Sequence, residues 1–251
     1  MDNFFKTAIF PVLFLLVFTG CGPALKQRRE EADIHYRIGV VQFNDGKITE
    51  ALKELTYAVE AYPEEPSYHN ALGLAYFARG MNVDAKRYIK EAIRLRPDFS
   101  EAHVNLAAVY LAEGNWDGAI EESRAALENV FYSTPELAHF NMGRANYNKG
   151  LHMEALENFK AAADLSQNYN AAYYNMGLTL DKLNRTEESV AAYRKAIRIQ
   201  PGYVDAHYAL GRALVKKKDR AGAVEAFRKV MELAPDSDMA RFARDYIELM
   251  K

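Results

Sequence analysis

Histidine is the residue type in this sequence best suited to chemistry, because it can ligate a metal or act as an acid or base near neutral pH. Five of the six histidines recur at steps of 34, 34, 36 and 68 residues, at His35, His69, His103, His139 and His207. None of the five pairs with another at the HxxxH spacing of a helical metal site. Regular recurrence indicates copies of one packing position, and no phosphate-binding loop or nucleophile motif is present. We therefore expect no enzyme activity, no metal and no cofactor.

Cys21, the only cysteine, is a candidate for lipid attachment. Residues 8–18 form an apolar run that suits the core of a signal peptide and is short for a membrane span. The following residues, Phe18-Thr19-Gly20-Cys21, resemble a bacterial lipobox, in which the cysteine is acylated, with palmitate for example, and becomes the mature N-terminus. We expect a signal peptide over 1–20, a lipid on Cys21 and a polar tether over 21–31.

Gly22, rather than aspartate, follows the cysteine. For a Gram-negative lipoprotein this implies the outer membrane, with the protein facing the periplasm. Two departures from a typical lipobox segment are Phe18, where leucine is commonest, and an N-terminal region whose only basic side chain is Lys6. They leave an ordinary secretory signal peptide or an uncleaved anchor as alternatives.

Charge and repetition define the rest of the chain. The 32 basic and 34 acidic residues nearly cancel, which predicts neither a nucleic-acid partner nor a polybasic membrane patch. Small residues recur at steps of 34, 34, 36, 34 and 34, at Gly39, Gly73, Ala107, Gly143, Gly177 and Gly211. A second small residue follows each after twelve positions, at Ala51, Ala85, Ala119, Ala155, Ser189 and Ala223.

This period resembles that of the tetratricopeptide repeat, a helix-turn-helix unit. The implied fold is all-α, a right-handed superhelical solenoid of six repeats with a C-terminal capping helix. The repeats run over 32–237, as 32–65, 66–99, 100–135, 136–169, 170–203 and 204–237. The capping helix follows over 238–251, with Asp236 or Ser237 as its N-cap. Its apolar face is formed by Met239, Phe242, Ala243, Tyr246, Ile247 and Met250.

Between the helices of each repeat, the turn needs a residue that tolerates positive φ. Five turns have a suitable residue, at Gly46, Gly80, Gly114, Gly150 and Asn184. Lys218 occupies the equivalent place in the last repeat and is the poorest fit.

In the tetratricopeptide family, the first helix of each repeat lines a concave groove that binds protein segments. By register, the predicted groove residues are Tyr36, Val40, Phe43, Asn70, Leu74, Phe77, Val104, Asn105, Leu111, Phe140, Asn141, Arg144, Tyr147, Tyr174 and Asn175, followed by Leu178, Tyr208 and Arg212. The asparagines at 105, 141 and 175 suit hydrogen bonds to a peptide backbone, and the apolar side chains suit an amphipathic segment. The alternative for any single aromatic residue is packing between neighbouring first helices.

A more specific resemblance combines the lipobox, the six repeats and the stretch Tyr132-Ser133-Thr134-Pro135 between repeats three and four. Together they are similar to the type IV pilus pilotin lipoproteins. Val104-Asn105-Leu106-Ala107 departs from that family, since many members carry Asn-Asn-Tyr-Gly and a cysteine in the third repeat. The resemblance implies an outer-membrane adaptor that binds secretin subunits and assists their localisation and multimerisation, with no small-molecule substrate. The alternative is a general periplasmic scaffold lipoprotein in envelope assembly or polysaccharide export.

Overall fold

A computed structural model describes residues 21–250, with side chains from residue 25 onward. Within these residues it contains thirteen α-helices and no β-strand, which confirms the predicted all-α repeat fold. The predicted signal peptide lies outside the described residues. The helices are α1 (Cys21–Asn44), α2 (Ile48–Ala61), α3 (Pro66–Ala78), α4 (Asn82–Leu95), α5 (Ser100–Ala112), α6 (Trp116–Glu128), α7 (Pro135–Asn148), α8 (His152–Leu165), α9 (Asn170–Lys182), α10 (Thr186–Ile199), α11 (Val204–Lys216), α12 (Arg220–Leu233) and α13 (Asp238–Leu249).

Residues 21–31 differ from the expected tether, because α1 already begins at Cys21. The stretch from residue 24 to 31 is rich in strong helix formers, so the helix of the first repeat continues towards the N-terminus. An ion pair one turn apart, Lys26 with Glu30 at 3.8 Å, lies on this extension. The Arg29 guanidinium also lies 5.7 Å from the centre of the Tyr62 ring and 4.0 Å from the Glu65 carboxylate. The N-terminal segment is therefore a helical arm that contacts the first repeat.

Close packing of the two helices in a repeat depends on a glycine of the first helix. A Cβ added at Gly211 would lie only 2.6 Å from Cε1 of Phe227, a fully buried ring on α12. Sixteen residues separate this pair, and the same spacing relates the glycines of four other repeats to Leu55, Ile89, Phe159 and Tyr193. In the third repeat both partners change, to Ala107 and the buried Ser123. A larger residue on one helix is thus matched by a smaller one on the other.

The six turns within the repeats all contain a residue with positive φ. The predicted positions are confirmed at four glycines, with φ between 74° and 79°, and at Asn184, with φ 59°. Lys218 adopts the same conformation, with φ 63°, although it has a side chain that this region disfavours. The geometry of the repeat therefore overrides the preference of lysine for negative φ.

Three of the five recurrent histidines bond the connections between repeats. Nε2 of His69, His103 and His207 donates to the carbonyl oxygens of Pro63, Pro97 and Pro201, at 2.8, 2.8 and 2.9 Å. No group of histidine, cysteine and acidic residues within the described part of the chain could hold a metal ion. At His69, His103 and His207 the recurrence thus coincides with a structural role.

Helix α13 covers the end of the last repeat. The Ser237 hydroxyl caps the helix by accepting from the backbone N–H of Ala240 at 3.1 Å. Ala243 is fully buried, and the Tyr246 ring stacks on Phe227 with centroids 5.0 Å apart. Phe242, which the periodicity placed on the same apolar face, is instead 48% exposed, because it lies at the edge of that face.

None of the helices described here combines the length and the apolar character needed to cross a lipid bilayer.

Candidate partner-binding groove

The first helices of successive repeats form one continuous surface. The first helices α1, α3, α5, α7 and α9 each contact the next first helix, as far as α11, whereas the second helices make no comparable contact with one another in the described chain. Curvature of a solenoid brings the inner row of helices together and spreads the outer row. We therefore call the surface of the first helices the inner face and that of the second helices the outer face.

A cleft of about 360 Å³ opens in the inner face at the first three repeats. It is lined by Tyr36, Val40, Phe43, Asn44, Leu55, Ser67, Asn70, Ala71, Leu74, Arg96, Phe99 and Glu101. Five of these residues were predicted from the register: Tyr36, Val40, Phe43, Asn70 and Leu74. We call this the N-terminal cleft.

Two residues of this cleft come from the connection before α5 and were missed from the sequence. The Arg96 guanidinium lies over the Phe99 ring, 3.6 Å from its centre, and Nε of Arg96 is buried with no hydrogen-bond partner in the described residues. Phe99 occupies the last position of its repeat, where Tyr169 and Tyr203 also lie. That recurrence of aromatic residues was the available signal.

Three predicted groove residues are buried in the core, which corrects their assignment to an open surface. Val104 packs against the buried Tyr132 from the connection before α7, and Leu111 packs with Met142 on α7. The Nδ2 group of Asn141 donates to the Val104 carbonyl oxygen at 3.3 Å. The register predicts the direction in which these side chains point, but it does not predict how far the next repeat buries them.

The other two predicted asparagines also have partners within the chain. Nδ2 of Asn105 donates to Oδ1 of Asn70 at 3.0 Å, which joins α5 to α3. Nδ2 of Asn175 donates to the carbonyl oxygen of Ala171, one turn earlier in α9, at 2.8 Å. Each of these three amides therefore uses one N–H within the chain, out of two donors and an acceptor oxygen.

Several predicted aromatic residues lie partly between repeats, as the alternative interpretation held. The Phe140 ring is 4.9 Å from that of Tyr169, and the Tyr174 ring is 5.1 Å from that of Tyr203, centre to centre. Burial, followed by the Asp205 carboxylate, raises the pKa of Tyr174 to about 12. Phe77 is half-buried against the cluster around Ile89. These rings stabilise the stack of repeats and remain partly exposed.

A second cleft, of about 520 Å³, opens in the inner face near the C-terminus. It is lined by Tyr147, Leu178, Asp181, Lys182, Tyr193, Ala209, Arg212, Ala213, Val215, Lys216 and Tyr246. Tyr193 donates its hydroxyl to Oδ2 of Asp181 at 2.7 Å, and burial together with this bond raises the pKa of the tyrosine. We call this the C-terminal cleft. Among the predicted groove residues, Tyr147, Leu178 and Arg212 line it, whereas the exposed Arg144 lies on the inner face outside its lining.

Family models of the tetratricopeptide repeat match residues 22–66, 36–84, 76–130, 180–218 and 204–237. The chain is a tetratricopeptide-repeat protein. Repeats of this family are scaffolds for protein interaction rather than catalytic units, so a protein partner is implied. A comparison with curated proteins gives no significant match.

Solved structures show the same fold over nearly the whole described chain. The structure of PilF from Pseudomonas aeruginosa matches with a TM-score of 0.78 and 17% identity, over 88% of this chain and 99% of PilF. PilW, a widely conserved type IV pilus biogenesis factor, matches with a TM-score of 0.79 and 15% identity, over 85% of this chain and 98% of PilW. YrrB, a tetratricopeptide-repeat protein with an unusual peptide-binding site, matches with a TM-score of 0.59 and 20% identity, over 76% of this chain and 97% of YrrB. At these identities the matches establish the fold, so this chain is a tetratricopeptide-repeat protein similar in structure to pilus biogenesis factors.

Proposed function

We propose that this protein is an outer-membrane-anchored assembly factor that binds secretin subunits and assists their localisation and multimerisation in type IV pilus biogenesis. The observation that carries the proposal is the structural match to PilF and PilW, because it spans almost the whole of both proteins rather than a few shared repeats. The lipobox-like segment ending at Cys21 and the Tyr-Ser-Thr-Pro stretch before α7 support the same assignment.

The N-terminal cleft is the proposed site for the subunit. Tyr36, Val40, Phe43 and Leu74 are half-buried and together form a largely apolar lining. An apolar segment that is exposed before assembly would remove this surface from water, and the free energy gained grows with the apolar area that both partners bury.

The helical arm determines how far this cleft lies from the proposed lipid. Fifteen residues separate Cys21 from Tyr36 along α1, which is about 22 Å at the helical rise per residue, against roughly 50 Å for an extended chain. Acyl chains on Cys21 would keep the bound subunit close to the membrane and raise its local concentration there. No covalent chemistry is needed for this role.

The test is capture of partners from detergent-solubilised outer membranes. Wild type would be compared with a Tyr36→Ala, Phe43→Ala variant and with a control of similar apolar loss on the outer face, Tyr57→Ala, Val83→Ala. Both control residues lie on second helices and are exposed, by 45% and 77%. Phe77 is left unchanged because it does not line the cleft. Circular dichroism of each variant would establish that the helices are retained.

We expect the wild type and the control to capture a secretin and the cleft variant to lose it. Intact mass spectrometry of the wild-type protein used for the capture should give an acylated chain that begins at Cys21. A wild type that captures no secretin would refute the proposal. Capture of a different envelope complex would favour the general scaffold function. The fold is compatible with that function as well, because 361 chains of solved structures match it.

A further inference from the structure

The two halves of the inner face differ in charge, and the difference defines the chemistry of the bound segment. We infer that the partner segment is bipartite, with apolar residues in the N-terminal cleft and acidic residues along the C-terminal half of the inner face. This inference rests on the proposed function in one respect only, that a protein segment occupies the inner face.

In the first three repeats, the ninth, twelfth and thirteenth positions carry no charge. They are Val40, Phe43, Asn44, Leu74, Phe77, Ala78, Ala108, Leu111 and Ala112. The charged residues lining the N-terminal cleft are Arg96 and Glu101, one of each sign. This half therefore selects by apolar contact.

In the last three repeats, the nine equivalent positions contain one acid, Asp181, and four exposed cations, Arg144, Lys182, Arg212 and Lys216. Lys182, Arg212 and Lys216 come from two different helices and converge on the C-terminal cleft. Among the described residues, Arg144, Lys182 and Arg212 form no ion pair, and Nζ of Lys216 donates to the neutral Oδ1 of Asn184 at 2.9 Å. Cations gathered in one cleft repel one another unless an anion balances them.

The acidic groups near this half of the inner face do not balance the cations. Asp181 accepts the Tyr193 hydroxyl at 2.7 Å and keeps its negative charge, but it is the single acid in the cleft lining. Asp205 lies in the first turn of α11, where the helix dipole stabilises a carboxylate. Asp245 lies outside the lining, on α13 beside Tyr208 and Phe242. The cleft itself thus keeps three cations against one acid, and carboxylates of a partner are the complementary charge.

The experiment uses fluorescent peptides of about sixteen residues and the full-length protein in neutral detergent. The Glu peptide joins a half that contains Leu and Ile to a half that contains Glu and Ser, and it is made in both orders of the two halves. The matched Gln peptide has Gln in place of every Glu. Three exposed ion pairs of ordinary strength predict that wild type binds the Glu peptide about tenfold more tightly than the Gln peptide. This preference should disappear between about 0.05 M and about 0.5 M salt, because mobile ions screen exposed charges.

Two variants with equal loss of charge locate the effect. The inner-face variant is Arg144→Gln, Lys182→Gln, Arg212→Gln, and the control is Lys160→Gln, Arg194→Gln, Arg228→Gln, exposed on the second helices of the same three repeats. We expect the inner-face variant, which keeps Lys216, to retain a preference of no more than about twofold, and the control to keep the tenfold preference. Equal binding of both peptides by wild type, or equal loss in both variants, would overturn the inference.

The outcome is independent of the identity of the partner. If a secretin is captured by wild type but the peptides are bound without a charge preference, the inference fails and the proposed function stands. If the charge preference is found on the inner face but no secretin is captured, the inference stands and the proposed function fails.

Discussion

Lys218 offers a direct test of how the repeat geometry constrains its turns. It has φ 63° in the turn between α11 and α12, where four other repeats have glycine and one has asparagine. A non-glycine residue in this conformation costs roughly 1–2 kcal/mol, because Cβ approaches the following carbonyl oxygen. The backbone N–H of Lys218 donates to the Val215 carbonyl oxygen at 2.9 Å, a bond that glycine retains. Lys218→Gly should therefore relieve strain without removing that bond.

The expected gain is smaller than the strain, since glycine also makes the unfolded chain more flexible. That entropy offsets about 0.4–1 kcal/mol, so the net stabilisation should be about 0.5–1 kcal/mol. Unfolding of a repeat array is not reliably two-state, so local hydrogen exchange is the better measurement. We expect exchange of the amides of α12 and α13 to slow about twofold to fivefold in Lys218→Gly, because this factor is the net stabilisation converted through RT at 25 °C.

The neighbouring residue provides the control. Lys217 has φ −74°, within the ordinary helical range, so Lys217→Gly relieves no strain and should lower stability by about 0.5–1 kcal/mol. Opposite changes in exchange for the two glycine variants would support the reasoning. If both variants accelerate exchange to the same extent, positive φ at Lys218 is not a source of strain.

Two further predictions concern the packing within a repeat and the pH dependence of stability. Gly211→Ala should lower the free energy of local unfolding by about 1–3 kcal/mol, measured by hydrogen exchange of α11 and α12, because its Cβ would overlap Phe227. Gly202→Ala should cause no loss, because no atom lies within 4 Å of the added Cβ. Burial alone would lower the pKa of His103, but its bonds to Glu122, at 2.7 Å, and to the Pro97 carbonyl raise the pKa above its ordinary value. The stabilisation of the fold by these two bonds is therefore complete below about pH 6.5 and is lost as the pH rises through the raised pKa. Glu122→Gln should therefore cost about 1 kcal/mol of local stability at about pH 5.5 and less at about pH 8.5, measured by hydrogen exchange of α5 and α6 and corrected for the intrinsic exchange rate at each pH. An equal cost at both pH values would contradict this account.

The helices, their order and their turns could be predicted from the sequence because they follow from local preferences repeated six times. A small residue is needed wherever Gly211 or its equivalents approach a large side chain, and positive φ is needed in every turn. Both requirements appear in the sequence at a fixed period. The helical arm could also have been predicted, since residues 24–31 favour helix and contain no breaker.

Only the tertiary structure decided which inner-face residues are open to a partner. Periodicity gives the direction of a side chain from its own helix, whereas exposure depends on how closely the next repeat packs over it. Val104 is buried because the longer connection before α7 places Tyr132 against it, and Asn141 is used to bond the Val104 carbonyl. Arg96 and Phe99 enter the N-terminal cleft from a connection that helical periodicity does not describe. The sequence thus determined the scaffold, and packing between repeats determined the shape and charge of its clefts.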